Sequence, residues 1–174
     1  FTVTERSSFF RFHFPRTTDA NIIIDAFFKN SEIKVIPNEN KIIGIAKNNS
    51  GGVPENFANY FVIEFDRPFK KSGVWDGKGN IISKNYLKGK HVGAYVSFNT
   101  EKKESSNYPQ IKTQKFFDII EVKVSSSFIS HEQAWINLKR ELPENKNFNE
   151  ILAEGRESWN NELSKIKVET ENTP

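Results

Sequence analysis

Apolar and polar positions alternate with a period of two along most of residues 1–129, and the period lengthens to that of a helix beyond them. Phe1–Arg6 reads as a strand. Phe9–Phe14 alternates strictly, which puts Phe10, Phe12 and Phe14 on one face and Phe9, Arg11 and His13 on the other. Asn21–Phe28 is a nearly continuous apolar run, broken only by Asp25, and its pattern predicts a strand buried on both faces. Glu32–Ile36 and Lys41–Ala46 flank the turn-forming stretch Pro37-Asn38-Glu39-Asn40, the signature of a hairpin. Ala58–Phe65 is the strongest strand, closed by Asp66-Arg67-Pro68, and Val74-Trp75 leads into a tight glycine turn over Asp76–Asn80. Residues 81–90 show no clear period. His91–Phe98 and Phe116–Val124 alternate again, and segments 48–54 and 101–110 read as loops on composition.

After residue 129 two helices are predicted. Ser130-His131-Glu132-Gln133 and Asn147-Phe148-Asn149-Glu150 each have a side-chain acceptor followed three positions later by Gln or Glu, the spacing of a capping box. Trp135, Leu138 and Leu142 form the apolar stripe of the first helix. Phe148, Leu152, Gly155, Trp159, Leu163 and Ile166 form that of the second, so Trp135 and Trp159 are expected to be core. A glycine within such a stripe costs about 1 kcal/mol relative to alanine, and close approach to another backbone is the expected compensation at Gly155. A run of strands followed by two helices predicts a mainly β chain: an antiparallel sandwich over 1–129, a helical segment packing on it over 130–166, and a polar linker over 167–174. A chain that opens on Phe1, already in a strand-like pattern, is expected to be a piece of a longer protein.

Composition sharpens this picture at three points. Aromatics make up 13% of the chain, with 16 Phe, and favour half-buried pleated surfaces. Net charge is +3, but residues 131–174 hold nine acidic against six basic side chains, so the positive excess lies in the strand region. There the lysines fall in ones and twos at turns (Lys70-Lys71, Lys88, Lys90) and not along one face, which argues for a solvated surface and against a nucleic-acid partner. There are 0 cysteines, which excludes disulfides, thiol nucleophiles and zinc–thiolate sites. No apolar run approaches the roughly 20 residues that span a bilayer.

Chemistry is sparse. Asp25, Glu64, Asp66, Asp76, Asp118 and Glu121 are the interior carboxyl candidates, yet no spacing singles out a pair, and Glu64 and Asp66 are expected to be solvated or paired with Arg67. His13, His91 and His131 are too scattered for a metal site. Asp76–Asn80 lacks the alternating oxygens and closing glutamate of a calcium loop and reads as a turn. Trp75, beside that turn, is the one aromatic side chain placed to stack on a sugar, although packing is the commoner fate of such a residue.

Five segments, in order, resemble the N-terminal domain of glycoside hydrolase family 92, the bacterial α-mannosidases. They are Thr4-Glu5-Arg6 with Phe9–Pro15, Ala20–Asp25, Tyr60–Phe69, Gly93–Phe98, and Trp159–Ile166. Ser8 stands where the family usually has glycine and Phe10 where it usually has histidine. The resemblance implies a β-sandwich of the galactose-mutarotase-like type, its first strands missing, docked by a helical linker on an α/α barrel that would follow residue 174. It further implies a calcium-dependent, inverting α-1,2-mannosidase whose acid, base and calcium ligands come from that barrel, about 6.5–9.5 Å separating the two carboxyls. On this reading the chain supplies no catalytic residue and no metal ligand. Its partners are the barrel and mannose-containing glycans, its location periplasmic, surface or extracellular, and Trp75 the only candidate sugar contact. A free-standing carbohydrate-binding sandwich is the alternative; an adhesion or assembly domain working through sheet edges is a third.

Overall fold

The computed structural model describes residues 1–47, 51–82, 84–100 and 117–168. Its strands are β1 (Thr2–Val3), β2 (Ser7–Pro15), β3 (Ala20–Asp25), β4 (Ser31–Ile36), β5 (Lys41–Ala46), β6 (Asn59–Phe65), β7 (Lys71–Asp76), β8 (Ile81–Ile82), β9 (Tyr86–Gly89), β10 (Val92–Phe98) and β11 (Phe117–Ser127). Two helices follow, α1 (His131–Glu141) and α2 (Phe148–Leu163). A larger sheet runs β1-β2-β11-β6-β5-β4-β9 and a smaller one β3-β10-β7-β8, every pairing antiparallel. The predicted loop 101–110, residues 48–50 and residues 169–174 of the predicted linker lie outside the described residues.

Alternation decides which side chain goes where. Between the sheets, Ile33, Ile42, Ile63, Phe65, Ile120 and Val122 meet Val74, Val92, Ala94, Val96 and Phe98, with Phe10, Phe12 and Phe14 packed against them. The odd-numbered face of β2 turns the other way. Phe9 is buried there with Leu142, Phe148 and Ile151, and Val62 of β6 is buried under Ala134 and Leu138 of α1. At β2, β11 and β6 the larger sheet is therefore covered on its second face by the helices.

The helices start where their caps put them. The Ser130 hydroxyl accepts the Gln133 amide, while the Gln133 side chain turns to Asn137 instead of closing the box. At α2 the box is complete: Asn147 Oδ1 accepts the amides of Asn149 and Glu150, and Glu150 Oε2 accepts the Asn147 amide. Asn147→Ala should lower stability by about 1 kcal/mol, read as a fall in the urea midpoint with the slope unchanged. At Gly155 a Cβ would stand 3.3 Å from Thr2 Oγ1 and 3.5 Å from the Val3 carbonyl oxygen, so glycine here admits β1 against the helix.

Four expectations need correction. Within Phe1–Arg6 only Thr2 and Val3 pair as a strand, because the Thr4 hydroxyl and the Arg6 amide donate to Glu141 of α1. β3 is an edge strand and not doubly buried: Ile22 and Ile24 face the core, while Ile23 is 71% exposed. The apolar run leaves the strand at Ala26 and enters a turn in which Phe27, Lys29 and Asn30 adopt φ of 66°, 67° and 62°, unusual for side-chain-bearing residues. Ser31 Oγ braces that turn, 2.7 Å from the Ala26 carbonyl and 2.9 Å from that of Phe27. Finally, the α2 stripe is core only in its first half. Phe148 is buried and Leu152 half-buried, with Ile151, outside the predicted stripe, buried beside them, whereas Trp159 is 62% exposed and Leu163 and Ile166 are exposed beyond it, because the helix runs past the sheet that covers its start. Trp135 is half-buried against α1's core with the Lys41 ammonium 3.8 Å from its ring centre. The patternless stretch 81–90 resolves into the short strands β8 and β9.

Candidate functional site

The six interior carboxylates are each engaged by a neighbour. Asp25 Oδ1 lies 3.0 Å from His91 Nε2, and Glu121 pairs with Arg11 at 2.7 Å. Arg67 bridges Asp66 and Asp118 at 3.1 and 2.9 Å, so Asp66 pairs as expected and Glu64 takes Lys139 at 3.5 Å instead. Asp76 accepts the Lys78 and Asn80 amides and the Asn80 side chain, which hold its carboxyl below the usual range, the Asn80 side chain first among them. That turn closes on itself, with Gly79 at φ 81°.

A cleft of about 610 Å³ lies between the larger sheet and the α1–α2 connection, lined by Phe9, Glu64, Asp66, Glu121, Lys123 and Glu144 among others. Its charges are tied together. Lys139 joins Glu64 to Glu144 at 2.8 Å from the latter, and this bond holds the Glu144 carboxyl below its ordinary value. The Lys123 ammonium donates to the Leu142 carbonyl at 2.9 Å, and burial pushes its pKa down. A general acid needs a carboxyl pushed up, away from cations. This cleft has the character of an ion-pair network that fastens the helices to the sheet.

The outer face of the smaller sheet is built differently. Its strand registers set three cross-strand rows: Asn21–Ser97–Lys71, then Ile23–Tyr95–Gly73, then Asp25–Gly93–Trp75 with Ile81 beyond. Each glycine lies beside an aromatic ring. A Cβ at Gly73 would stand 2.8 Å from the Tyr95 ring, and one at Gly93 would collide with the Trp75 ring. Both rings therefore lean over bare backbone and lie low on the sheet. Trp75 is pinned there by its Nε1–H, which donates to the Ala94 carbonyl at 3.2 Å, and by His91 edge-on at 5.3 Å. The result is a groove of about 560 Å³ floored by Trp75 and Tyr95 and walled by the exposed Ile23 and Ile81. At its polar end the Lys71 ammonium stands 3.5 Å from Asp19, and Ser97, 2% exposed, has a hydroxyl with no hydrogen-bond partner among the described residues.

Trp75 was readable in the sequence as a candidate; Tyr95, Ile23, Ile81 and Ser97 were not. The available signal was a glycine two positions before an aromatic in each of two strands (Gly73-Val74-Trp75 and Gly93-Ala94-Tyr95), since a strand glycine often marks close approach. The histidines scatter. His91 stacks on Phe28 with ring centres 4.4 Å apart, His131 Nε2 lies 2.9 Å from the Gly44 carbonyl, and His13 is exposed on β2. Among the described residues no group of three or more His, Asp or Glu side chains stands close enough to hold a metal ion, and no helix is long and apolar enough to cross a membrane.

Residues 1–108 match the glycosyl hydrolase family 92 N-terminal domain. The chain belongs to that family. An inverting mannosidase of family GH92 from Bacteroides thetaiotaomicron VPI-5482 superposes with a TM-score of 0.80 at 31% identity, over 96% of this chain and 21% of its own. A family GH92 α-mannosidase from Bacteroides thetaiotaomicron, in complex with mannoimidazole, gives 0.73 at 25% identity over 97% and 21%. A third glycosyl hydrolase of the family shares the fold, with a TM-score of 0.75 at 18% identity. No curated protein sequence matches. The chain thus spans about a fifth of the length of these family 92 structures, with residues 1–108 matching the family's N-terminal domain. Four of the five resembling segments begin inside the matched range, on β2, β3, β6 and β10; the fifth is the exposed end of α2.

Proposed function

We propose that this family 92 chain is the non-catalytic β-sandwich of a calcium-dependent α-1,2-mannosidase, shaping a sugar site whose acid and base belong to an α/α barrel. The support is one observation above all: nearly the whole chain superposes on a fifth of an inverting mannosidase, while its own interior carboxylates are each engaged. Inversion needs one carboxylic acid and one carboxylate free to activate water, about 6.5–9.5 Å apart. Carboxylates bound to Lys139, Arg67 and Arg11 serve neither purpose.

The described residues do not fit a calcium site. Calcium takes about 6–8 oxygen ligands, and the nearest approach to a loop of that kind, Asp76–Asn80, turns its carboxylate onto its own amides. On this reading the ion is held by the barrel. The chain's contribution is mechanical: the helix pair and the ion-pair cleft fix the orientation in which the sandwich is presented. The periplasmic, surface or extracellular placement expected of the family follows from the same reading.

Residues 1–174 incubated with an α-mannoside and calcium should release no mannose, and expression in one chain with the family's downstream portion should restore turnover. Robust hydrolysis by residues 1–174 alone would overturn the proposal.

A further inference from the structure

We propose that the outer face of the smaller sheet is a binding groove for a neutral oligosaccharide, with Trp75 and Tyr95 as its stacking floor and the Asn21–Ser97–Lys71 row as its polar end. The role goes beyond the scaffolding described above. Only the choice of mannosides as probes rests on the family reading.

A pyranose ring has one face of C–H groups and a rim of hydroxyls. It binds where flat aromatic surface lies beside hydrogen-bonding groups in a shallow groove. All three features coincide here. The rings lie low because Gly73 and Gly93 leave room under them, and any side chain at Gly93 would displace the Trp75 ring. The rise along β7 from Lys71 to Trp75 is about 13 Å at the usual strand spacing, room for a disaccharide and not only one ring. Charge selects the ligand class: Asp19 neutralises Lys71, so the polar end offers hydrogen bonds without net charge, which disfavours an anion.

The Ser97 hydroxyl adds an independent reason. It is buried, lines the groove, and has no partner among the described residues, although a buried hydroxyl left unpaired is costly. The hydroxyl is closed off from solvent in this structure, so a ligand hydroxyl supplies the missing bond only where the covering side chains part for it. The flanking Ile23 and Ile81, 71% and 67% exposed, form an apolar wall that a docked ligand would cover.

The test is an NMR titration of the 174-residue chain with an α-linked mannobiose and, separately, with cellobiose. Saturable shifts are expected at the Trp75 indole N–H and at the amides of Tyr95, Ser97 and Ile81. Trp75→Ala should weaken binding about tenfold. Ile81→Ser, whose side chain is already in solvent, should weaken it without touching the fold, and Trp159→Ala should leave it unchanged. Binding of cellobiose alone supports the groove and removes the mannoside assignment. No shift with either sugar, or full binding by a folded Trp75→Ala chain, would overturn the proposal. So would a dimer in sedimentation that Ile81→Ser abolishes, since the face would then belong to a second copy. Mannose release plays no part in these outcomes, so failure here leaves the scaffolding role standing.

Discussion

Phe98→Ala is expected to destabilise the chain by about 3–5 kcal/mol, the cost of emptying a phenylalanine site that cannot collapse. Phe98 is 1% exposed and ends β10, where its ring meets Phe65 of the larger sheet at 5.7 Å and Phe69 at 6.3 Å, the last edge-on. These three rings join the sheets at one end of the sandwich. Removal of the central ring withdraws apolar area from both sheets and leaves Phe65 and Phe69 facing a void. Domains of this size have about 5–15 kcal/mol in total, so the melting temperature should fall on the order of 10 °C. Phe98→Leu, which refills most of the volume, should cost clearly less. Thermal and urea denaturation followed by circular dichroism measure both. A loss under about 1 kcal/mol for the alanine variant would mean that the two sheets do not share a core at this end.

Glu141→Ala should cost about 2–3 kcal/mol at neutral pH, because the partners it leaves behind are partly buried donors. The Glu141 side chain is 10% exposed, accepts the Thr4 hydroxyl at 2.6 Å and the Arg6 amide at 2.9 Å, and lies 3.2 Å from Arg140. Burial alone would push its carboxyl up, but the bonds from Thr4, the Arg6 amide, Arg140 and Ser7 outweigh it, and the net shift is downward from 4.5. The sign of the pH effect follows. A carboxyl with a depressed folded-state pKa binds its proton more readily in the unfolded chain. Its contribution is therefore fully present above pH 4.5, falls as the pH drops below that value, and is gone once the pH passes the folded-state pKa. Urea midpoints taken from pH 7 down to pH 3 should show the wild type losing this increment over the lower part of that range. Glu141→Gln, which keeps the shape without the charge, should show a flatter profile. An identical slope in wild type and Gln variant would remove Glu141 from the account.

The strands that repeat their pattern locally were legible in the sequence. The hairpin over residues 32–46, the strand ending at Phe65 and the split of Phe9 from Phe10, Phe12 and Phe14 follow from period-two alternation and one proline-containing turn. The α2 start was legible because its capping box lies within four residues. The misreadings share one cause, which is that a pattern fixes a face but not what lies against it. Ile23 is apolar and Trp159 is on the helical stripe, yet nothing in the local sequence says that β3 is an edge strand or that α2 outruns its sheet. Likewise the Thr4–Arg6 break in the first strand is made by Glu141, 137 positions from Thr4. Of the groove, Trp75 could be named in advance, but its neighbours come from three other strands whose register only the folded sheet defines.

The position of β11 in the larger sheet sets the order in which the molecule can be made. It lies between β2 and β6, and the Ser7–Ser125 hydroxyl pair at the end of that ladder joins residues 118 apart. A ribosome therefore delivers β2 with its main partner still unsynthesised, and the Phe10, Phe12 and Phe14 edge stays open until residue 127 has left the exit tunnel. Ladders closed over such separations form slowly. The nascent chain must carry this phenylalanine-rich strand without β11 while residues 16–127 are made, the interval in which it is most open to wrong pairings.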